Sequence, residues 1–309
     1  LDLGGTTQVQ SILTMGGCLT TNGTISNTEV LFTAGTNTEA ASIVGTSSVV
    51  SIGSSTNTLS GASNSYTGGT FITNSEIIVA AGSSLGASTN TLSISNGYLD
   101  LSGGTNAQGA VTLNGGNLLN SNDTLQAISL NFVGGGNTNT VAGRLTNNGT
   151  NTFSLNQNAG TSILTGSNTY SGTNNISGGT LIVSNSSALG NSGNTLIVSG
   201  NGTLNFGGTT STQGAVTFSN SIITNGGINA TSFLLSGTTN NVSASLGGSA
   251  AVTAAAGTTL FTAANTYDGG TILAGGTIVL SGAGTLGAST NNLTISNSTL
   301  NLGGTTQTN

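Results

Sequence analysis

One sequence element occurs four times in this chain. It reads LDLGGTTQ from Leu1, LDLSGGTNAQGAVTL from Leu99, LNFGGTTSTQGAVTF from Leu204 and LNLGGTTQ from Leu300. The chain therefore divides into long repeats over 1–98, 99–203 and 204–299 and the start of a fourth at 300–309. Long repeats at near-constant spacing indicate units that stack on their neighbours. We therefore expect one continuous solenoid over 1–309.

Short β-rich runs fill each repeat. Runs such as Thr180–Ser184 and Asn90–Ser95 are rich in Leu, Ile, Val and Thr, and clusters of Gly, Asn and Ser separate them. This spacing predicts strands joined by turns. The best helix candidate is the Ala-rich stretch 250–256, but glycines bracket it and Val252 and Thr253 interrupt it. Strand structure is therefore predicted there as well.

A solenoid lets such short, weakly apolar strands fold. Stacked coils place the apolar side chains of one coil on those of the next, which makes a continuous core. Gly and Asn supply left-handed backbone at the corners, and stacked Asn and Thr side chains can form hydrogen-bonded ladders. The chain has no proline, which would remove a ladder donor. The predicted fold class is all-β, a parallel β-helix (β-solenoid) forming an elongated rod of about 13 to 15 coils, each of about 20 to 25 residues.

The charge content excludes several classes of partner. Only 3% of the residues are charged, the net charge is −6, and Arg144 is the single basic side chain. Because no basic surface can neutralise phosphates, we expect no nucleic-acid partner. No apolar run is long enough for a membrane-spanning helix, so no direct membrane insertion is expected. The lone Cys18 is interpreted as a small buried apolar residue.

Catalytic and metal-binding side chains are scarce. The chain has no His or Lys, and acid–base catalysis needs a suitable titratable group or paired carboxylates. The acids are Asp2, Glu29, Glu39, Glu76, Asp100, Asp123 and Asp268. Asp2 and Asp100 occupy a repeat position that is Asn in the other copies, which favours a corner role, and Glu29 and Glu39 are interpreted as surface acids. We therefore predict no enzymatic activity, no metal and no cofactor.

Three further blocks recur in the same phase. In each, a tyrosine precedes a Gly-rich turn and a strand, and a Leu-Gly pair and another strand follow. The tyrosines are Tyr66, Tyr170 and Tyr267, and the Leu-Gly pairs are 85–86, 189–190 and 286–287. The blocks resemble the autotransporter-associated β-strand repeat. The middle copy departs from the pattern, with Gly172-Thr173-Asn174 in place of Gly-Gly-Thr.

This resemblance implies a passenger-type parallel β-helix, right-handed, exported across the outer membrane of a Gram-negative-type bacterium to the cell surface. It implies no catalytic residues. The expected structural positions of the repeats are Tyr66, Tyr170, Tyr267, Gly86, Gly190, Gly287, Gly104, Gly208 and Gly304.

Three functions fit this sequence. The first is an extended stalk or spacer in a cell-surface fibre or adhesin, whose partners are neighbouring copies or a host or matrix surface. The second is a carbohydrate- or matrix-binding face on the same solenoid. The third is ice binding, suggested by Thr-Asn-Thr triplets whose spacing is irregular. These triplets lie at 36–38, 56–58, 89–91 and 138–140.

The ends of the sequence share one phase, at Leu1 and Leu300, and neither carries a polar cap. Solenoid ends normally carry capping structure that covers the open strand edges and core. The pattern therefore predicts an interior spacer with further coils on both sides, and an export signal outside this segment.

Overall fold

The computed structural model describes residues 1–118 and 120–307. This part of the chain contains strands and turns and no helix, and its strands pair in parallel. The chain divides into two compact units, Leu1–Phe153 and Ser154–Asn309. Each unit is a parallel β-solenoid, which confirms the predicted fold class. That one continuous solenoid covers 1–309 stays a prediction.

In the first unit, strands stack on three faces of the coil. The first face consists of Ile12–Gly16, Glu29–Ala34, Ser48–Ile52, Thr70–Thr73, Leu92–Ser95, Ala110–Asn114 and Ser129–Phe132. The second face consists of Leu19–Thr20, Thr36–Glu39, Thr56–Leu59, Glu76–Val79, Tyr98–Asp100, Asn117–Leu118 and Thr138–Val141. The third face has two short groups, Thr7–Gln8, Thr24–Ile25 and Ser42–Ile43, then Thr105–Ala107, Thr124–Ala127 and Arg144–Asn147.

The second unit repeats this arrangement. Two long strands, Ala215–Thr224 and Ser232–Val242, bend from the first face onto the second. The other first-face strands are Ser154–Gln157, Thr173–Ile176, Thr195–Ser199, Ala251–Ala254, Thr271–Leu273 and Leu293–Ile295. The other second-face strands are Thr161–Leu164, Thr180–Val183, Thr203–Asn205, Thr258–Phe261, Thr277–Leu280 and Thr299–Asn301. The third face holds Thr210–Thr212, Gly227–Asn229 and Ser245–Gly247.

The coils vary in length. Paired residues on successive coils are 17 residues apart for Leu13 and Val30 and 23 apart for Thr180 and Thr203. The shortest coils therefore contain fewer residues than the predicted number of about 20 to 25. The coil that runs from Leu13 to Val30 is short because its strands Leu19–Thr20 and Thr24–Ile25 have only two residues each. The two units together contain about 15 turns, at the upper end of the prediction.

Alternation of side chains along each strand builds the core. In Thr180–Val183, Leu181 and Val183 point inward and are fully buried, whereas Thr180 and Ile182 lie on the outer side. Because partners pair in register, the inward residues of successive coils stack and form an apolar column. The Ala-rich stretch follows the same rule, as the strand Ala251–Ala254 confirms.

A polar ladder continues the core at one corner of the first unit. Asn37 and Asn57 are fully buried, and Asn37 Nδ2 donates to Asn57 Oδ1 at 2.7 Å. Asn57 Nδ2 donates in turn to the hydroxyls of Ser51 and Ser55 at 2.6 and 2.8 Å. These amides are satisfied within the stack, which removes most of the cost of burying them.

Glu39 lies inside the solenoid, so its interpretation as a surface acid is wrong. Its side chain is fully buried, and Oε1 accepts the Ala41 N–H at 2.9 Å, while Oε2 has no hydrogen-bond partner. Burial raises the Glu39 pKa from 4.5 to about 7, opposed by the Ala41 N–H, the Thr20 hydroxyl and the positive charge of the amino terminus. Glu29 begins the first-face strand Glu29–Ala34 of the same coil, and its side chain is half-buried on the outer side.

Candidate functional site

The three repeat tyrosines lie inside the solenoid, in coils whose third side is a loop. Tyr66, Tyr170 and Tyr267 are each fully buried. The loop of Tyr66 follows the third-face strand Ser42–Ile43, and Ser65 N donates to the Ile43 carbonyl at 2.9 Å. In these coils a tyrosine ring therefore fills the core where a third-face strand is missing.

The tyrosine hydroxyl has the same kind of partner in the first and third copies. Tyr66 Oη is 2.7 Å from Thr70 Oγ1, and Tyr267 Oη is 2.7 Å from Thr271 Oγ1. Each threonine begins the first-face strand that follows the Gly-Gly turn. The hydrogen bond therefore ties the ring to the start of the next strand and satisfies a buried hydroxyl.

The middle copy keeps this contact with different chemistry. Tyr170 Oη donates to Asn174 Oδ1 at 2.6 Å. Asn174 Nδ2 also donates to the Leu189 carbonyl and to Gln213 Oε1, both at 3.0 Å. The departure from Gly-Gly-Thr noted in the sequence is therefore compensated, because an amide replaces the threonine hydroxyl as partner of the tyrosine.

The glycine of each Leu-Gly pair packs against the tyrosine of the preceding coil. Gly86, Gly190 and Gly287 have φ angles of 74°, 74° and 82°, a region that L side chains rarely adopt. A Cβ at Gly190 would also lie 2.6 Å from the Tyr170 carbonyl oxygen. Both the conformation and the close approach require glycine at these positions.

An asparagine four residues after each of these glycines completes the cluster. Asn90, Asn194 and Asn291 donate through Nδ2 to the carbonyl of the preceding coil's tyrosine, at 2.8, 3.1 and 2.8 Å respectively. The same amide approaches the carbonyl of the leucine in the Leu-Gly pair, at 3.3, 3.0 and 3.3 Å. These asparagines were not among the predicted positions, although their constant spacing from the Leu-Gly pair is visible in the sequence.

The element that begins each long repeat forms a second recurring corner. Oδ1 of its Asp or Asn accepts the N–H two residues later, an Asx turn. The acceptors are Asp2, Asp100, Asn205 and Asn301, at 2.9, 2.6, 2.9 and 2.9 Å. Asp and Asn are equivalent here because only the acceptor oxygen is used, which agrees with the predicted corner role.

Two left-handed residues follow each of these Asx turns. Gly207 and Gly208 have φ angles of 57° and 80°, and Gly303 and Gly304 have the nearly equal values of 55° and 80°. In the second copy the pair is Ser102–Gly103, with φ angles of 51° and 75°. Gly103, and not the predicted Gly104, is therefore the structural counterpart of Gly208 and Gly304.

These clusters offer packing and hydrogen bonding rather than reactive groups. Burial raises the pKa of Tyr66 and Tyr170 above the usual tyrosine range, and that of Tyr267 to about 12, so all three phenols are neutral at physiological pH. Asp123 is also buried, and its two carboxylate oxygens accept the N–H groups of Leu101 and Gly103 at 2.9 and 2.8 Å.

Other candidate residues are dispersed. Within residues 1–118 and 120–307, no three His, Cys, Asp or Glu side chains come together as a metal site. Cys18 is exposed, so its interpretation as a buried residue is wrong. Asp268 is exposed in the turn after Tyr267. The described residues contain no helix that is long and apolar enough to cross a membrane.

The Thr-Asn-Thr triplets form only a small array. Triplets 36–38 and 56–58 pair in register on the second face, with their threonines outward and their asparagines in the buried ladder. The next two coils carry Glu76 and Tyr98 in the same outward row. Triplet 138–140 lies on that face two coils later, and 89–91 lies at a turn. A threonine array on every coil, as ice binding would need, is therefore interrupted.

Comparison with known families identifies the tyrosine-containing coils. The passenger-associated-transport-repeat family matches residues 52–74, 157–183 and 256–280. Each match contains one cluster tyrosine with its turn and following strand, and each ends before the Leu-Gly pair. No curated protein and no solved structure matches the chain. The three matches confirm that these blocks resemble the autotransporter passenger repeat.

Proposed function

We propose that this chain is a non-catalytic structural segment of a secreted cell-surface protein, a stalk or spacer of an adhesin or fibre. The observation that carries the proposal is the agreement between the three matched repeats and three copies of one buried tyrosine cluster. Those clusters join successive coils through hydrogen bonds and leave no reactive group exposed. A segment built in this way is suited to holding coils together, and its family is associated with passenger transport.

Surface display tests this role. The chain is joined to an outer-membrane translocation domain in Gram-negative cells and probed with antibody and a protease of broad specificity. We expect surface exposure together with protease resistance. Gly190→Val, which places a branched side chain against the Tyr170 carbonyl, should reduce both, whereas Gly193→Ala should not, because a Cβ at Gly193 meets open space. Retention of the parent chain inside the cell would contradict the proposal.

Lateral self-association is the second part of this proposal. Outward rows in the second unit are uncharged over several coils, and the clearest comprises Thr239, Thr258, Thr277 and Thr299, which pair in register. Charge repulsion ordinarily keeps such surfaces apart, and it is weak here. Association of copies should therefore depend little on ionic strength.

Sedimentation at low and high salt tests the association. We expect oligomers at both ionic strengths and dissociation when Thr239, Thr258 and Thr277 are replaced by Glu, since stacked carboxylates repel. The matched control replaces the same three residues by Ser, which preserves the hydroxyls without adding charge. A monomeric parent chain at both ionic strengths would exclude self-association and leave the spacer role standing.

A further inference from the structure

Tyr98 differs from the other three tyrosines of the chain. Its side chain is 45% exposed, whereas the ring in each repeat cluster is fully buried. Tyr98 begins the second-face strand Tyr98–Asp100, and its side chain lies on the outer surface of the first unit. The repeat architecture does not use this ring for its core, so its outer face is open to solvent.

A groove of about 380 Å³ runs beside Tyr98 along the corner between the first and second faces. One side is formed by Ser54, Asn74 and Asn96, which occupy equivalent corner positions on three successive coils and have φ angles of 59°, 50° and 48°. Residues other than glycine rarely adopt this left-handed backbone conformation, and Asn is among the few that tolerate it. The shared conformation gives the three corner residues the same backbone geometry on each coil.

The other side of the groove is the outward row that ends in Tyr98. Thr56 pairs with Glu76, and Glu76 pairs with Tyr98, so the three side chains stand side by side on adjacent coils. Coils are about 4.8 Å apart, so this row is about 10 Å long. It presents a hydroxyl, a carboxylate and an aromatic ring in order along one line.

Most polar groups of the groove are available to a ligand. The side chains of Asn74 and Asn96 are exposed and make no hydrogen bond within the described part of the chain. Glu76 Oε2 accepts one long hydrogen bond, from the Thr56 hydroxyl at 3.3 Å. Two amides therefore offer donors and acceptors, and a carboxylate offers further acceptor positions.

We propose that this groove, the Tyr98 groove, binds a neutral oligosaccharide. A sugar ring has an apolar C–H face that can pack on an aromatic ring, and hydroxyls around its rim that need both donors and acceptors. Tyr98 supplies the first requirement, and Asn74, Asn96 and Glu76 supply the second. The Glu76 carboxylate disfavours acidic sugars, since the only basic side chain of the protein, Arg144, does not line the groove.

Ligand binding at this groove would be a property beyond the proposed spacer role, because a spacer needs no ligand. Tyr98 is the one aromatic ring in an outward row that is otherwise polar over Thr36, Thr56, Glu76 and Asn117. A bound cation is the alternative occupant, because a carboxylate beside an aromatic ring also suits an ammonium group.

Binding of neutral oligosaccharides is tested first on an array of gluco-, galacto-, manno- and N-acetylhexosamine oligomers. Hits are titrated in solution while the Tyr98 ring signals are followed by NMR, with tetramethylammonium as the cation probe. We expect saturable shifts of the Tyr98 signals with at least one neutral oligomer. Tyr98→Ala should weaken that binding about ten-fold, and Tyr98→Phe, which retains the ring, less than about three-fold.

Two matched variants separate the groove from general surface effects. Phe71→Ala removes a ring that is 39% exposed on the first face of the same unit, outside the groove, and should leave binding unchanged. Glu76→Gln should allow acidic oligomers to bind. The proposal is overturned if no neutral oligomer shifts the Tyr98 signals, if Phe71→Ala weakens binding as much as Tyr98→Ala, or if only tetramethylammonium binds. Each of these results leaves surface display, and hence the spacer role, unaffected.

Discussion

Replacing Glu39 with Gln should remove a pH dependence of folding stability that the buried carboxyl creates. The unfolded chain releases this proton near the ordinary pKa of 4.5, whereas the folded chain holds it until about pH 7. Between these values the unfolded state binds fewer protons than the folded state, so the free energy of unfolding falls as pH rises. Below 4.5 the stabilisation is complete, and above about 7 it is lost.

The magnitude follows from the two pKa values. The rise from 4.5 to about 7 corresponds to about 3 kcal/mol, at about 1.4 kcal/mol per pKa unit. This is a large fraction of the roughly 5–15 kcal/mol by which ordinary domains are stable. Burial of Asp123 raises its pKa as well, in the same direction, so the effect of Glu39 is read as the difference between parent and variant.

Urea denaturation across this pH range measures the effect. We expect the unfolding free energy of the parent to fall by about 3 kcal/mol more than that of Glu39→Gln between pH 4.5 and 7, with no further divergence above pH 7. The control Glu29→Gln changes a half-buried outward carboxyl and should follow the parent. Parallel curves for the parent and Glu39→Gln would refute the reasoning, because they would show that the carboxyl is ionised inside the folded coil.

Three further predictions concern the recurring corners, and denaturation measures each. Gly190→Ala should destabilise the fold by about 2–4 kcal/mol, because alanine disfavours a positive φ and its Cβ would clash with the preceding coil. Gly193→Ala should be nearly neutral, and equal effects would show that the close contact between Gly190 and the Tyr170 carbonyl does not matter. Tyr170→Phe should cost about 1–3 kcal/mol by leaving Asn174 Oδ1 buried without its donor, and an unchanged stability would show that this hydrogen bond contributes nothing. Asn205→Asp should change stability by less than about 0.5 kcal/mol and Asn205→Ala should cost about 1 kcal/mol; the reverse order would exclude the Asx turn.

The fold could be predicted because its signals are repeated. Three tyrosine blocks and four copies of the long-repeat element fix the phase of the strands, and the lack of proline removes the main obstacle to continuous pairing. The tyrosines and the Leu-Gly pairs of the clusters follow from this phase, whereas the asparagines that complete the clusters were not predicted. The individual hydrogen bonds do not, because the partner of Tyr170 is an Asn where the other copies have a Thr.

The faces of individual side chains were harder to predict. In Thr36–Glu39 the inward residues are Asn37 and Glu39 and the outward residues are threonines, so polarity does not mark the core side. Hydrophobic alternation is the usual guide to strand orientation, and it fails where a buried amide ladder replaces apolar residues. Cys18 was expected to be buried because a lone cysteine usually behaves as a small apolar residue, but its side chain is exposed. Only its backbone N–H contacts the ladder, where Asn37 Oδ1 accepts it.

The shift from Gly104 to Gly103 has another origin. Gly104 was predicted because it is the second glycine of a Gly-Gly pair, as Gly208 and Gly304 are. In the structure the two left-handed residues are the ones that directly follow the Asx turn, and Ser102 is the first of them. Backbone conformation therefore sets the correspondence, and a serine can stand where the other copies have glycine.

The long repeats have a consequence for how such genes change length. The first repeat, from Leu1 to the strand containing Leu99, takes five coils, and the repeat from Leu204 to the strand containing Leu300 also takes five, although they differ in residue number. Unequal recombination between two repeats therefore inserts or deletes whole coils. Inward and outward side chains then keep their sides on either side of the junction, so the stacked apolar core is preserved. We therefore expect chains that gain or lose one such repeat to differ in length by five coils and to keep the strand register.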